Sequence, residues 1–165
     1  MPAHEENPIT YLAGDATRPV GEGVKIIAHV CNNLGKWGKG FVLAVSRRWP
    51  AARQRYLTLH TPGTTIPLGT VQVVRVEEDI YIANLITQDG LRSRHNPVPL
   101  KYLSLEACLG QVATEARSLE ASVHMPRIGC GLAGGKWDRV EPIIQHALCR
   151  RGVAVYVYDL PARQS

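Results

Sequence analysis

The stretch Ser122–Asp138, SVHMPRIGCGLAGGKWD, joins a short run of strand-forming residues to the start of a predicted helix. Four glycines occupy the seven positions 129–135. Glycine leaves backbone N–H groups accessible, and the N-terminus of a following helix adds its dipole, so a loop of this composition is suited to hold an anion. We therefore predict a phosphate-binding loop between a strand at 122–125 and a helix that begins near Asp138.

A second glycine-rich loop follows the apolar run Val24–Val30, VKIIAHV. Residues 31–40, CNNLGKWGKG, carry three glycines in the six positions 35–40 and precede another predicted helix. The loop at 31–40 has neither the Walker A ending nor the G-x-G-x-x-G spacing. A dinucleotide-dependent oxidoreductase is disfavoured because the acidic residue about 20 positions beyond a glycine fingerprint is missing. Loops at the carboxyl ends of strands in an α/β sheet face one crevice, so one ligand with two phosphates would explain both loops. Ordinary tight turns are the alternative explanation for each loop taken singly.

The remaining sequence alternates between strand-like and helix-like segments. Strands are predicted at Ile9–Ala13, Val24–Val30, Val71–Val76, Ile80–Ile86, Ser122–Met125 and Val153–Leu160. Helices are predicted at Phe41–Arg48, Ala51–His60 after a break at Pro50, Leu100–Leu119 and Asp138–Cys149. The link at 77–79 predicts an antiparallel hairpin, and the overall order predicts one sheet between helical layers.

Composition limits the function classes. At 165 residues with 45% hydrophobic and 20% charged residues, the chain is expected to form one globular domain. No apolar run is long enough to span a membrane, and the polar start Met1–Pro8 lacks a secretory signal, so a cytoplasmic protein is expected. The net charge of +5 suggests an anionic partner, although charge alone does not separate a phosphate-bearing small molecule from nucleic acid. The four cysteines do not have the spacing of metal ligands, and we expect all of them to be reduced thiols: Cys31, Cys108, Cys130 and Cys149.

Three motifs together resemble the macrodomain, the ADP-ribose-binding fold: Gly14-Asp15, the loop ending Gly38-Lys39-Gly40, and Met125–Leu132, MPRIGCGL. The resemblance extends from about Ile9 to Leu160. It implies one macrodomain over 1–165 with short polar tails, built as three α/β/α layers around a mixed, mostly parallel sheet of about six strands. Leu85-Ile86-Thr87 and MPRIGCGL are most similar to the subclass that contains the terminal ADP-ribose protein glycohydrolase and O-acyl-ADP-ribose deacylase.

The resemblance implies ligand contacts along the whole crevice. Asp15 would accept a hydrogen bond from the adenine amine, beside the backbone of Ala16 and the ring of Tyr158. A turn cap at Asp15 and an ordinary strand residue at Tyr158 are the alternatives. Asn32 would lie by the distal ribose and its reacting anomeric carbon. The two loops would supply the other contacts: Ile128, Gly129, Cys130, Gly131, Leu132 and Ala133 at the diphosphate, with Gly38, Lys39, Gly40 and Phe41 on the opposite side and along the distal ribose.

Two departures from the subclass change the expected chemistry. The glycohydrolase has a lysine directly after Leu-Ile-Thr that attacks the anomeric carbon, and this chain has Gln88 there. Its catalytic aspartate after Gly-Cys-Gly-Leu corresponds to Ala133. An amide cannot form a Schiff base and a methyl group cannot carry a proton, so the lysine route is excluded by this alignment. The resemblance implies no metal and no cofactor.

Two hypotheses from different classes follow. In the first, the protein is a hydrolase that removes ADP-ribose from a protein carboxylate or a nucleic-acid base by direct water attack, with Asn32 and Gln88 as the catalytic candidates. The substrate phosphate, Asp89 or His95 would then act as general base. In the second, it is a non-catalytic reader of ADP-ribose. Processing of O-acyl-ADP-ribose or ADP-ribose 1''-phosphate is a further alternative. We expect a monomer whose partners are ADP-ribose or ADP-ribosylated protein or nucleic acid, and the basic charge would fit contact with DNA.

Overall fold

The structure, a computed structural model, describes residues 7–161. It contains six strands: β1 Thr10–Ala13, β2 Lys25–Asn32, β3 Val71–Glu77, β4 Ile80–Gln88, β5 Ser122–Met125 and β6 Val155–Asp159. It contains four α-helices: α1 Phe41–Arg48, α2 Pro50–Leu57, α3 Tyr102–Leu119 and α4 Trp137–Ala147. A short 3-10 helix at Cys149–Arg151 follows α4.

The six strands form one sheet in the order β1-β6-β5-β2-β4-β3. Every neighbouring pair is parallel except the β3–β4 hairpin, which confirms the prediction of a mixed, mostly parallel sheet. The loops that follow β1, β2, β4 and β5 consequently emerge at the same edge of the sheet. Both glycine-rich loops and the Gly14-Asp15 turn lie along this carboxyl edge, where ligands bind in open α/β sheets.

Helices cover both faces of the sheet. Ile26 and Ala28 of β2 belong to the core formed with α3 and α4, whereas Ile27 and Cys31 belong to the core formed with α1 and α2. Successive strand side chains point to opposite faces, so a strand covered on both sides has a continuous apolar sequence. This explains the run VKIIAHV and gives the three-layer architecture.

Several element boundaries differ from the sequence predictions. Pro50 is the first residue of α2, and the break between α1 and α2 lies at Trp49. Proline is favoured at the first helical position because its missing N–H would have no partner there. The last α-helix begins at Trp137 and ends at Ala147, so Cys149 lies in the 3-10 turn. Most of the predicted polar tails, residues 1–6 and 162–165, falls outside the described residues.

Candidate functional site

A cleft runs along the carboxyl edge of the sheet as two adjoining cavities. One, the glycine-loop cavity, has a volume of about 300 Å³ and is lined by both glycine-rich loops. The other, the Arg92 cavity, has a volume of about 290 Å³ and lies beside the loop that follows β4. The two cavities share five lining residues, Val30, Lys39, Val42, Gln88 and Leu132, and therefore form one continuous cleft.

One wall of the cleft presents unpartnered backbone donors. Within residues 7–161, the N–H groups of Gly129, Gly131, Leu132 and Ala133 donate to no protein acceptor. The N–H of Cys130, which the sequence placed among the diphosphate donors, already bonds to the Arg127 carbonyl at 3.3 Å. Four free amides in one loop form a concave set of donors suited to an anion.

The internal bonds of this loop require glycine. Gly134 has φ 76°, and a Cβ there would lie 2.4 Å from the carbonyl oxygen of Pro97. A Cβ on Gly135 would lie 2.5 Å from the carbonyl oxygen of Gly129, to which the Gly135 N–H donates at 2.7 Å. These close backbone contacts pack the loop against Pro97, while the N–H groups at 129 and 131–133 remain without internal acceptors among the described residues.

The opposite wall is the N-terminus of α1. Gly40 caps this helix with φ 81° and supplies no side-chain acceptor. Among the described residues, no protein group accepts the N–H of Gly40, Phe41 or Val42. A Cβ on Gly40 would lie 3.3 Å from Cδ1 of Leu132, so the two walls approach each other closely at this point. The cleft thus has free donors on both sides, with the positive end of a helix dipole on one of them.

Asn32 has its side chain engaged in holding the first glycine-rich loop. Its Oδ1 accepts the N–H of Leu34 at 3.0 Å, the N–H of Lys36 at 3.2 Å and the hydroxyl of Tyr56 at 3.0 Å. Its Nδ2 donates to the carbonyl of Lys36 at 2.7 Å. Asn32 lines the Arg92 cavity but is 7% exposed, which leaves it one amide hydrogen for any ligand. The geometry gives Asn32 mainly a role in fixing the loop.

Unlike the Asn32 side chain, the Gln88 side chain is not engaged in holding a loop. Gln88 ends β4, pairs with Asn32 in register, and lines both cavities. The pairing skips Thr87, and an irregularity of this kind redirects side chains at a strand end. Within the described chain, the Gln88 side-chain amide has no hydrogen-bond partner. Its donor and acceptor atoms are therefore available in the cleft.

The Gly14-Asp15 turn lies at the far end of the edge and lines neither cavity. Oδ1 of Asp15 accepts the N–H and the hydroxyl of Thr17 at 2.8 and 2.7 Å, so this oxygen acts as a turn cap. Ala16 and Tyr158 are buried, at 3% and 4% exposed. The Tyr158 hydroxyl accepts the N–H of Val20 at 3.0 Å, and its ring packs against Gly14. Tyr158 thus supports the turn from beneath, and the second carboxylate oxygen of Asp15 is left without a protein partner.

The floor of the glycine-loop cavity contains His29, which the sequence analysis did not select. His29 is 2% exposed, and its Nε2 donates to Oδ1 of Asn84 at 2.6 Å. That direction follows because Nδ2 of Asn84 donates to Ala52 and Gln72. Burial lowers the pKa of His29 to about 4, so the ring is neutral near pH 7. A lone histidine in an apolar strand carries no spacing signal, which is why the sequence did not connect it to the cleft.

The charged residues that line the cleft are all basic: Lys36, Lys39, Arg92 and Arg127. Neither Asp89 nor His95, the two loop residues predicted as general bases, lines either cavity. The Asp89 carboxylate instead accepts Nδ2 of Asn33 at 3.1 Å. Within the described residues the cleft has no carboxylate lining, so its electrostatic character favours an anionic ligand.

The described residues include no group of three His, Cys, Asp or Glu side chains that could hold a metal ion. In the same part of the chain, no helix is both long and apolar enough to cross a membrane. Trp37 is 7% exposed and packs between His29 and Tyr56, so it anchors the first glycine-rich loop on the core.

Solved structures resemble the whole chain. A macrodomain protein from Streptomyces coelicolor is 52% identical, with 93% of this chain and 100% of that chain covered and a TM-score of 0.82. A protein of unknown function from Bacteroides thetaiotaomicron is 47% identical over 93% of this chain and 99% of that chain, with a TM-score of 0.88. No family model matches the sequence.

Curated relatives are more distant and differ in length. Mouse chromodomain-helicase-DNA-binding protein 1-like is 29% identical over 93% of this chain, which spans 18% of that protein. The ADP-ribose 1''-phosphate phosphatase of Lodderomyces elongisporus is 28% identical over 92% of this chain and 99% of its own length. The DNA ADP-ribosyl glycohydrolase of Mycobacterium bovis is 30% identical over 81% of this chain and 36% of that protein. With the fold and the Streptomyces structure, these relatives show that the chain belongs to the macrodomain family.

Proposed function

We propose that the protein is an ADP-ribosyl hydrolase. It binds ADP-ribose in the cleft and removes it from a modified macromolecule, either a protein carboxylate or a nucleic-acid base, by water attack at the distal ribose. The observation that carries the proposal is the pair of facing walls with free N–H groups, at 129 and 131–133 on one side and at 40–42 on the other. Two relatives named as a phosphatase and a glycohydrolase support a hydrolase role.

The diphosphate fits between the two walls. Backbone donors from both loops would bind its oxygens, and the exposed ammonium of Lys39 would add charge at the boundary between the two cavities. The distal ribose would then extend towards Gln88, which lines both cavities, and the adenine towards the free oxygen of Asp15. Binding mainly through backbone amides tolerates side-chain variation in the loop, which agrees with Ala133 in place of the subclass aspartate.

Hydrolysis requires a positioned water at the anomeric carbon. In the proposed step the bond from that carbon to the leaving group breaks, the leaving group keeps the electron pair, and water oxygen bonds to the carbon. Oε1 of Gln88 accepts a hydrogen bond from this water and orients it. No carboxylate lines the described cleft, so the water proton passes to a phosphate oxygen of the substrate. The diphosphate charge also stabilises the oxocarbenium-like transition state.

A non-catalytic reader is the second candidate. The observation that favours it is that the described cleft lining has no carboxylate and no lysine at position 88. Processing of O-acyl-ADP-ribose or ADP-ribose 1''-phosphate would use the same cleft. With each of these functions, the protein would be a monomer in the cytoplasm.

Two measurements separate these functions. Calorimetric titration with ADP-ribose tests the cleft, and absence of binding would reject hydrolase and reader together. Chromatographic detection of released ADP-ribose then tests turnover of glutamate-linked protein, acylated ADP-ribose, ADP-ribose 1''-phosphate and thymidine-linked DNA. Release of ADP-ribose from any of these substrates rejects the reader hypothesis. Binding of ADP-ribose with release from none of the four substrates rejects the hydrolase hypothesis.

A further inference from the structure

The Arg92 cavity contains three cationic side chains, Lys36, Lys39 and Arg92. Ion pairs within residues 7–161 join Arg48 to Glu77 and Arg127 to Asp159, so none of the three is neutralised by a carboxylate. Like charges at close range repel one another, and the repulsion is relieved by a bound anion. Lys36 and Arg92 line this cavity and not the glycine-loop cavity, whereas Lys39 lines both.

Arg92 is held in place by its loop although its side chain is exposed. The Asn33 side chain accepts the N–H of Gly90 at 2.9 Å and donates to Asp89 at 3.1 Å. Nδ2 of Asn96 donates to the carbonyls of Asp89 and Leu91 at 2.9 and 3.1 Å. These bonds fix the backbone before Arg92, and two backbone bonds between Ser93 and Asn96 fix it after Arg92. The Arg92 guanidinium extends across the cleft to 3.5 Å from the Gly131 carbonyl. Such positioning lowers the entropy cost of binding an anion.

Resting on the proposed function, we propose that Arg92 and Lys36 form a phosphate subsite for the group attached beyond the distal ribose. An ester-linked carboxylate has lost its charge and gives these cations nothing to bind, whereas a phosphate keeps its charge when it is linked. The guanidinium also matches phosphate geometry through two parallel N–H donors. The phosphate is either a monoester at the anomeric carbon or a diester of an attached nucleic-acid strand.

The test compares ligands with and without this phosphate. Arg92→Gln is measured against Arg94→Gln, an exposed arginine of the same loop that lines neither cavity. Binding constants for ADP-ribose, ADP-ribose 1''-phosphate and an oligonucleotide with thymidine-linked ADP-ribose are determined in a Gln88→Ala background, which slows turnover. We expect the Arg92 change to leave ADP-ribose affinity within about twofold and to weaken a phosphate-bearing ligand about tenfold or more, as for other charge-assisted bonds.

The outcomes are distinct. Weaker binding of ADP-ribose 1''-phosphate by the Arg92 variant identifies a monoester site. Weaker binding of the oligonucleotide, with the slope of log affinity against log salt concentration reduced by about one, identifies a diester site. Equal effects of the Arg92 and Arg94 changes on every ligand would overturn the subsite. Lys36→Gln gives a second, independent variant. Failure of the unmodified protein to bind ADP-ribose at all would refute the proposed function rather than the subsite alone.

Discussion

The different roles of Asn32 and Gln88 yield the sharpest mutational prediction. Asn32→Ala removes four side-chain hydrogen bonds, to Leu34, twice to Lys36 and to Tyr56. The Tyr56 hydroxyl keeps a bond to the Asn32 carbonyl at 2.8 Å, whereas the Leu34 and Lys36 backbone groups lose their side-chain partner. At about 0.5–1.5 kcal/mol for each bond, we expect a loss of about 2–4 kcal/mol in the free energy of unfolding.

Gln88→Ala is the matched comparison because its amide has no protein partner in the described chain. We expect its unfolding free energy to stay within about 0.5 kcal/mol of the unmodified protein. ADP-ribose affinity should change little, and turnover should fall about tenfold or more because the water is no longer oriented. Asn32→Ala should weaken ADP-ribose binding as well as stability, since the loop it holds leads into Gly40 and α1.

Urea unfolding followed by circular dichroism gives the two stabilities, and calorimetry and ADP-ribose release give affinity and turnover. The reasoning is refuted if Asn32→Ala is as stable as the unmodified protein and lowers only turnover. It is equally refuted if Gln88→Ala keeps full turnover on the substrate that the unmodified protein cleaves.

Two further predictions concern stability. Gly134→Ala should lower the free energy of unfolding by about 2–4 kcal/mol, because it combines a left-handed backbone with a Cβ 2.4 Å from the Pro97 carbonyl. The control Gly131→Ala, whose Cβ would have nothing within 4 Å, should unfold at the urea midpoint of the unmodified protein. Equal midpoints for the two variants would contradict this. Burial lowers the pKa of both His29 and His124 from 6.5 to about 4, so the unfolded chain takes up protons first and stability, fully present above pH 6.5, is lost as pH falls towards 4. The loss is at most roughly 3 kcal/mol per histidine, and a urea midpoint unchanged between about pH 7 and pH 4.5 would contradict it.

Local patterns predicted the elements of the fold well. Alternation and β-branched residues located the β3–β4 hairpin. The spacing of apolar residues located α3, which was predicted to begin at Leu100 and begins at Tyr102. The continuous apolar run of β2 indicated a strand covered on both faces. The helix start at Pro50 was missed because the same residue can break one helix or begin the next, and only the packed chain decides between them.

The sequence predicted that the two glycine-rich loops face one crevice, and they line one cavity, but it did not predict the contacts of individual side chains. The prediction of an anion site rests on glycine spacing, which is a local feature of the sequence. The engagement of Asn32 depends on Tyr56, which lies 24 residues away on α2, and the bond from His29 to Asn84 joins two strands. Contacts of that kind leave no pattern in one sequence. The internal bond of the Cys130 N–H is likewise set by the turn geometry at Arg127, which composition does not specify.

Oxygen-isotope labelling tests the proposed hydrolysis most directly. The substrates are ADP-ribose 1''-phosphate and glutamate-linked ADP-ribose, turned over in ¹⁸O-labelled water, with the released phosphate or carboxylate analysed by mass spectrometry. Attack at the anomeric carbon leaves the original oxygen on the leaving group, so we expect released phosphate or glutamate without ¹⁸O. Label in the phosphate or carboxylate would place the attack on the leaving group and contradict the role proposed for Gln88.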